Sequence, residues 1–229
     1  MITTTTVKKY HFLGIAGTAM AGVALLLKSR GDIVSGSDDA IYPPMSTVLA
    51  ENNIAVQSPY RPENLPIDPA TIVVVGNAIS RGNPELEAML ERRMKYCSVP
   101  ELLRWEILLP RKPIVIAGTH GKTSTTSLVA HLLDSVGANP GFLIGGVPKN
   151  FTSGARLTDS EYFVIEGDEY DTAYFDKRSK FLHYVPHVVA MLNLEFDHAD
   201  IFSSIEEIEL AFRRLALTIP ANGLLVYNA

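Results

Sequence analysis

Ile114-Val115-Ile116-Ala117-Gly118-Thr119-His120-Gly121-Lys122-Thr123 runs from an apolar, β-branched stretch into a glycine turn, and Ser124 to Val136 continues it in a helical pattern. Strand, glycine loop, Lys-Thr and helix, in that order, is how a parallel α/β sheet offers backbone N–H groups to phosphate oxygens. In such a loop Lys122 neutralises phosphate charge and the Thr123 hydroxyl reaches Mg²⁺. Opposite unit charges about 4 Å apart attract by about 4 kcal/mol at an effective dielectric of ~20, so Lys122 carries much of the binding. One position departs from the usual pattern: the first glycine expected five residues before Gly121-Lys122 is replaced by Ile116.

Working outward, the 229 residues suffice for one large or two modest domains, and 47% hydrophobic residues allow a substantial core. The formal charge of −5 and the scattered basic residues give no footprint for nucleic acid. A single cysteine, Cys97, excludes an intramolecular disulfide and fits a reducing compartment. Met1 to Lys9 is a threonine run without an apolar segment, and no apolar run approaches the roughly 20 residues that span a bilayer. A cytoplasmic protein is expected.

Short apolar runs alternate with helical patterns, which predicts an α/β architecture with parallel sheets. Tyr10 to Leu13, Ile33 to Ser35, Thr71 to Val75 and a stretch near Tyr96 read as strands of a first unit. Ala19 to Ser29, Met45 to Asn52, Pro84 to about Arg93 and Pro100 to about Leu108 read as its helices, with Asn83 as N-cap and Pro84 at the first helical position. Pro110-Arg111-Lys112-Pro113 is the predicted boundary, giving domains 1–109 and 110–229. In the second, strands are expected at Phe142 to Ile144, Tyr162 to Ile165, Val188 to Leu192 and Leu224 to Tyr227. Ser203 with Glu206 reads as a capping box for a helix to about Leu217. Ending just after a strand-like run, the chain is expected to stop inside its second domain.

Three further segments carry chemistry. Phe163-Val164-Ile165 delivers Glu166 to a strand end, where carboxylates face the ligand crevice of a parallel sheet, so Glu166 is the metal candidate. Asp168, Glu169 and Asp171 either join it or form a solvated acidic turn. Val188 to Leu192 delivers Asn193, Glu195, Asp197, His198 and Asp200 to the same edge, and His198 suits a metal or a metal-bound water. His120 either points to a nucleotide or faces solvent. Gly14-Ile15-Ala16-Gly17-Thr18-Ala19, with Asp38 after the next strand, matches a dinucleotide fingerprint except that its second and third glycines are Ala16 and Ala19. A diphosphate at this turn belongs either to NAD or to a nucleotide-sugar. A GTPase or small-molecule kinase is disfavoured by the lack of an Asn-Lys-x-Asp motif and of the first loop glycine.

Together and in this order, these segments resemble the Mur ligase family, whose phosphate loop characteristically reads Gly-Thr-x-Gly-Lys-Thr/Ser without the first glycine. The resemblance is closer still to one branch, the murein peptide ligases. Tyr42-Pro43-Pro44-Met45-Ser46, Arg81-Gly82-Asn83-Pro84-Glu85, Ile144-Gly145-Gly146-Val147-Pro148, Phe175-Asp176-Lys177-Arg178-Ser179-Lys180 and Asn193 through Ile201 carry that likeness. The resemblance implies a Rossmann-like domain binding UDP-N-acetylmuramate, followed by a partial P-loop central domain of Mur-ligase type. It implies ATP and Mg²⁺, and joining of murein tripeptide (L-alanyl-γ-D-glutamyl-meso-diaminopimelate) to UDP-N-acetylmuramate through an acyl phosphate. By resemblance ATP is held by Gly118, Thr119, His120, Gly121, Lys122, Thr123, Ser124 and Asn193. Thr123, Glu166 and His198 serve the metal, and Lys122, Glu166 and His198 are the catalytic set. Gly14, Ile15, Ala16, Gly17, Thr18, Ala19, Met20, Ser37, Asp38, Gly76, Asn77 and Ala78 cradle the UDP-sugar.

Two positions depart from the family pattern. Gly167 stands where alanine is commoner, with little effect expected, and Ser203 to Leu217 lacks the lysine that several relatives carbamylate. Family members carry a third, amine-binding domain, so the chain is expected to be an N-terminal portion, inactive alone. The alternatives are a UDP-N-acetylmuramate:L-alanine ligase and, in another class, a UDP-sugar-binding module without catalysis.

Overall fold

The computed structural model describes residues 7–196 and 202–228. The chain divides into two compact units, 1–99 and 100–229. This division falls ten residues before the one expected at Pro110, because the helical segment after Pro100 packs with the second unit.

The first unit contains β1 (Lys9–Leu13), α1 (Thr18–Ser29), β2 (Ile33–Ser37), α2 (Met45–Glu51), β3 (Ala55–Gln57), β4 (Ile72–Val75), α3 (Pro84–Glu91) and β5 (Tyr96–Ser98). The described strands form one parallel sheet in the order β3-β2-β1-β4-β5. The order reverses between β1 and β4, so the C-terminal ends of these two strands frame a ligand crevice. Phe12, Leu13 and Val73 to Val75 are fully buried, as continuous apolar strands covered on both faces should be. α1 lays Met20, Val23, Ala24, Leu26 and Leu27 into the core. α3 starts where expected: the Asn83 side chain accepts from the Glu85 and Leu86 N–H groups, both at 3.0 Å.

The second unit opens on α4 (Val99–Leu103), which straddles the division and continues as a π-helical turn over Arg104–Leu108. There follow β6 (Lys112–Ala117), α5 (Lys122–Ser135), β7 (Gly141–Leu143), β8 (Ala155–Arg156), β9 (Tyr162–Gly167), β10 (Asp171–Ala173), β11 (Asp176–Ser179), β12 (Val188–Met191), α6 (Ile205–Ala216) and β13 (Leu224–Tyr227). The main sheet runs β13-β12-β6-β9-β7-β8, parallel except where β8 joins β7. Ile116, Ala130, Phe142, Ile144 and Val164 form the core that seats α5 on the sheet. Fully burying one such aliphatic or aromatic side chain is worth roughly 1.5–3 kcal/mol.

Several details differ from the sequence reading, beginning with the short strands β3 and β8, which no predicted strand covers. The hairpin of β10 and β11 went unread because Asp176-Lys177-Arg178-Ser179 has no apolar residue to mark it. The N-cap position of α6 is Ser204 rather than Ser203 and makes no side-chain cap bond; instead of Glu206 closing a box, Glu207 accepts from the Ser203 N–H at 2.7 Å. Gly167 matters more than expected, since β9 lies directly against β6. A Cβ at 167 would stand 2.9 Å from Val115 Cγ1 and 3.0 Å from Ala117 Cβ. Gly167→Ala is therefore expected to lower stability by about 1–3 kcal/mol through overpacking, read as a drop in the thermal unfolding midpoint.

Candidate functional site

In the second unit the parallel sheet brings the ends of β6, β9, β7 and β12 to one edge. β6 ends at Ala117 and the chain turns at Gly118 with φ +146°, in the region that favours glycine. A Cβ at Gly118 would lie 3.0 Å from Leu192 Cβ and 3.1 Å from the Asn193 carbonyl oxygen. The close approach fastens the loop to the segment after β12. Thr119 N–H donates to the Asn193 carbonyl at 3.0 Å, and His120 N–H to Asn193 Oδ1 at 2.9 Å. Glu195 N–H donates to Thr119 Oγ1 at 2.9 Å. α5 then starts from Gly121 without a side-chain cap, so its N-terminal N–H groups and the positive end of its dipole are presented to an anion.

Lys122 folds back over this loop. Its ammonium donates to the carbonyls of Gly118 at 2.7 Å and Thr119 at 3.3 Å, and to both carboxylate oxygens of Glu169 at 3.1 Å. One residue on, Thr123 Oγ1 donates to Glu166 Oε2 at 3.1 Å, while Glu166 Oε1 accepts from the Gly145 N–H at 2.6 Å. Octahedral Mg²⁺ with bonds of about 2.0–2.1 Å sets neighbouring oxygens about 2.9 Å apart, so the Thr123–Glu166 pair fits two adjacent positions of such an ion. Among the described residues no three His, Cys, Asp or Glu side chains gather into a metal cage. A hydroxyl and one carboxylate suit an ion that keeps its remaining positions for water and phosphate.

The acidic run after β9 is split by the fold. Asp168 turns away to Lys180, at 2.7 Å, and Asp171 to Lys177, at 2.8 Å. Neither of these two joins Glu166, and only Glu169 reaches the loop. The hairpin that shapes this turn has its own polar anchor. Arg178 holds the Asp176 carboxyl down at about 2. His183, bonded to Asp176 Oδ2 at 3.0 Å, is lowered from 6.5, chiefly by burial and then by the Arg178 charge.

In the first unit, the turn after β1 is built on Gly14, at φ +86°. The Gly14 and Ile15 N–H groups donate to the Ser37 carbonyl at 2.8 and 3.2 Å. Asp38 Oδ2 accepts from Ala16 N–H at 2.9 Å, tying the turn to the end of β2. Gly17, Thr18 and Ala19 are exposed at the start of α1, which has no side-chain cap and no acidic residue in its first turn. Asn77 and Ala78 are exposed after β4, while Gly76 is packed too tightly for a side chain: a Cβ would lie 2.8 Å from the Leu13 carbonyl oxygen. Ile15, Met20 and Ser37 point inward, so their side chains support the turn from beneath. Ser37 Oγ donates to Glu85 Oε1 at 3.0 Å, and Glu85 Oε1 also meets His11 Nε2 at 2.7 Å, all three side chains fully buried.

Residues 9–108 match the model of the Mur ligase family, catalytic domain, and residues 116–229 match the Mur ligase middle domain. A solved structure titled UDP-N-acetylmuramate:L-alanyl-gamma-D-glutamyl-meso-diaminopimelate ligase, from Neisseria meningitides, superposes with a TM-score of 0.93 at 45% identity. It covers 98% of this chain and 72% of that one. The chain belongs to the Mur ligase family. A curated relative from Haemophilus influenzae, named UDP-N-acetylmuramate--L-alanyl-gamma-D-glutamyl-meso-2,6-diaminoheptandioate ligase, is 49% identical over 97% of this chain and 49% of its own length. A UDP-N-acetylmuramate--L-alanine ligase from Azorhizobium caulinodans is 38% identical over 94% of this chain and 44% of its own. The chain thus spans about half the length of the curated relatives it matches.

For a member of this family, the fold gathers Gly118, Thr119, Gly121, Lys122, Thr123, Glu166 and Asn193 at one sheet edge. Ser124 is exposed in the first turn of α5, and His120 is exposed with Nε2 3.9 Å from Glu195 Oε2. His198 lies outside the described residues. Gly145 carried no assigned role in the sequence reading, although its glycine pair at a strand end was an available signal; Glu169 stood there as either a companion of Glu166 or part of an acidic turn, and its direction toward Lys122 depends on the turn. The anchor behind that turn yields a pH test. Because burial depresses the His183 pKa, the unfolded chain takes up this proton more readily than the folded one. The stabilisation is complete above the ordinary value of 6.5 and is lost as pH falls from there through the lower folded-state value. Thermal unfolding between pH 7.5 and 5 is expected to show a smaller downward slope for His183→Gln than for the parent.

Proposed function

We propose that this chain belongs to an ATP-dependent amide-forming ligase that joins murein tripeptide to UDP-N-acetylmuramate through an acyl phosphate, in peptidoglycan recycling. The observation that carries the reading is the phosphate loop with Lys122 beside the Thr123–Glu166 oxygen pair, in a chain 49% identical to a ligase so named. The lower identity to the L-alanine ligase, 38%, supports the tripeptide over free alanine as acceptor.

A carboxylate is a poor acyl donor because its oxygen leaves badly, and a phosphoryl group from ATP turns it into a good one. Gly118 to Thr123 hold the ATP phosphates with backbone N–H groups, and Lys122 balances charge on the transferred phosphoryl group. Thr123 and Glu166 hold Mg²⁺, with His198 as a further candidate, and the ion supplies charge neutralisation at the phosphates. Asn193 keeps the loop in shape through its two bonds to Thr119 and His120. On the first unit, the Gly14–Gly17 turn and the N-terminus of α1 receive the diphosphate of the UDP-sugar, with Asn77 and Ala78 on the neighbouring loop. Aligning two anionic substrates that repel each other supplies much of the rate.

Phosphate release by the full-length ligase is expected to require ATP, UDP-N-acetylmuramate and the tripeptide together. Preference for free L-alanine would instead assign the L-alanine ligase activity. Tight UDP-N-acetylmuramate binding in calorimetry without any ligation would reduce the chain to a binding module. Lys122→Met should lower kcat/KM by roughly 10³-fold, the rate equivalent of about 4 kcal/mol of lost charge attraction. Thr123→Val and Glu166→Gln should raise the Mg²⁺ concentration needed for half-maximal activity.

A further inference from the structure

Between β3 and β4 the chain passes Pro59, Tyr60 and Arg61 into a single helical turn over Pro62–Asn64. This segment lies beside the glycine turn of the first unit. A Cβ at Gly14 would stand 3.8 Å from the Tyr60 hydroxyl oxygen. The Tyr60 N–H donates to Asp39 Oδ1 at 3.0 Å, and its hydroxyl donates to Asp38. Burial, then the Asp38 and Asp39 charges, push the phenol up from its ordinary 10, so it stays a donor. Asp38 also accepts the Ala16 N–H at 2.9 Å and the Ala40 N–H at 3.0 Å. Tyr60 thus brings a third donor to the carboxylate that staples the turn, and brings it from a separate segment.

Asn64 sets where that segment lies. Its Nδ2 donates to the Pro59 carbonyl at 2.9 Å and to Glu85 Oε2 at 3.1 Å. Both partners are acceptors only, so both amide hydrogens are used and the orientation of the amide is fixed. The Asn64 N–H closes on the Arg61 carbonyl at 3.0 Å, and the Arg61 N–H donates to Glu85 Oε2 at 3.4 Å. Glu85 is a firm base for these bonds. Its side chain is fully buried, and its other oxygen is bonded to His11 and Ser37. One carboxylate therefore ties β1 and β2 on Oε1 to the Tyr60 segment on Oε2.

We propose that Asn64, braced on Glu85, is a positioning residue for the UDP-sugar. By holding Pro59 it keeps the Tyr60 hydroxyl on Asp38, and Asp38 keeps the Gly14–Gly17 turn in the form that receives the diphosphate. This role rests on the UDP-sugar reading of the first unit given above. The gain is preorganisation. An incoming diphosphate repels a neighbouring carboxylate, and three donors hold Asp38 in place against that push. Without the phenol, Asp38 can rotate off Ala16, and the turn must be re-formed as the ligand binds. Asn64 itself touches no ligand and acts through Tyr60 and Asp38.

The test is calorimetric titration of UDP-N-acetylmuramate into the parent, Asn64→Ala, Tyr60→Phe and the double variant. Each single variant is expected to weaken binding by about tenfold, the equivalent of one hydrogen bond to a charged group, with the stoichiometry unchanged. Tyr60→Phe keeps the ring and serves if Asn64→Ala unfolds early. Both substitutions act on the same bond to Asp38, so the double variant should also lose about tenfold rather than about a hundredfold. Additive losses, or a loss in only one of the single variants, would mean that Asn64 does not act through Tyr60. Unchanged affinity with a lower thermal unfolding midpoint, or a lower stoichiometry at the parent's affinity, would mean that Asn64 only supports the fold. Any of these results overturns the proposal. If the parent itself fails to bind UDP-N-acetylmuramate, the UDP-sugar reading falls, and the positioning role with it.

Discussion

Parallel pairing of β6 with β9 on one side and β12 on the other constrains the second unit more than any single side chain. Parallel strands end at the same edge, and their spacing of about 4.8 Å sets Gly118 between Glu166 on one side and Asn193 on the other before any loop chemistry begins. Register matters equally. Glu166 pairs with Ile116, and a slip of one residue would turn that carboxylate to the opposite face of the sheet. The backbone ladder therefore decides whether a threonine hydroxyl and a carboxylate meet at 3.1 Å or never meet.

Given that frame, the local charges account for the rest of the edge. The loop glycines bring backbone close to backbone, and Asn193 converts the closeness into hydrogen bonds. Lys122, crowded by carbonyls, needs an anion, and Glu169 stands where it can supply one. Of the four acids between Glu166 and Asp171, two are drawn off by Lys180 and Lys177 and two stay. The first unit uses a similar device: a glycine turn after its first strand, stapled by Asp38 and carried on the buried contacts of His11, Ser37 and Glu85. Polar groups so deep must be mutually satisfied, since leaving one unpaired costs about 1–3 kcal/mol.

Much of this was legible beforehand. Ile114 to Thr123 marked a strand, a glycine loop and a helix because apolar periodicity and glycine spacing are local properties of the chain. Asn83-Pro84 marked a helix start for the same reason, since an N-cap needs only the next few N–H groups. Gly14, Asp38 and Glu166 were legible as candidates because each stands at the end of a strand-like run. The β10–β11 hairpin was illegible, being polar throughout β11 and held by contacts across the turn.

Sequence alone therefore determined the α/β class, the family likeness, the glycine loop between β6 and α5 and the residues at strand ends, because each of these is encoded within a few neighbouring positions. Only the tertiary structure decided which acid faces Lys122, that Ser37 and Ile15 support their turn from inside, and that Gly167 must stay small. Those outcomes depend on which strands lie side by side, and on the partners that segments distant in sequence bring to each charge.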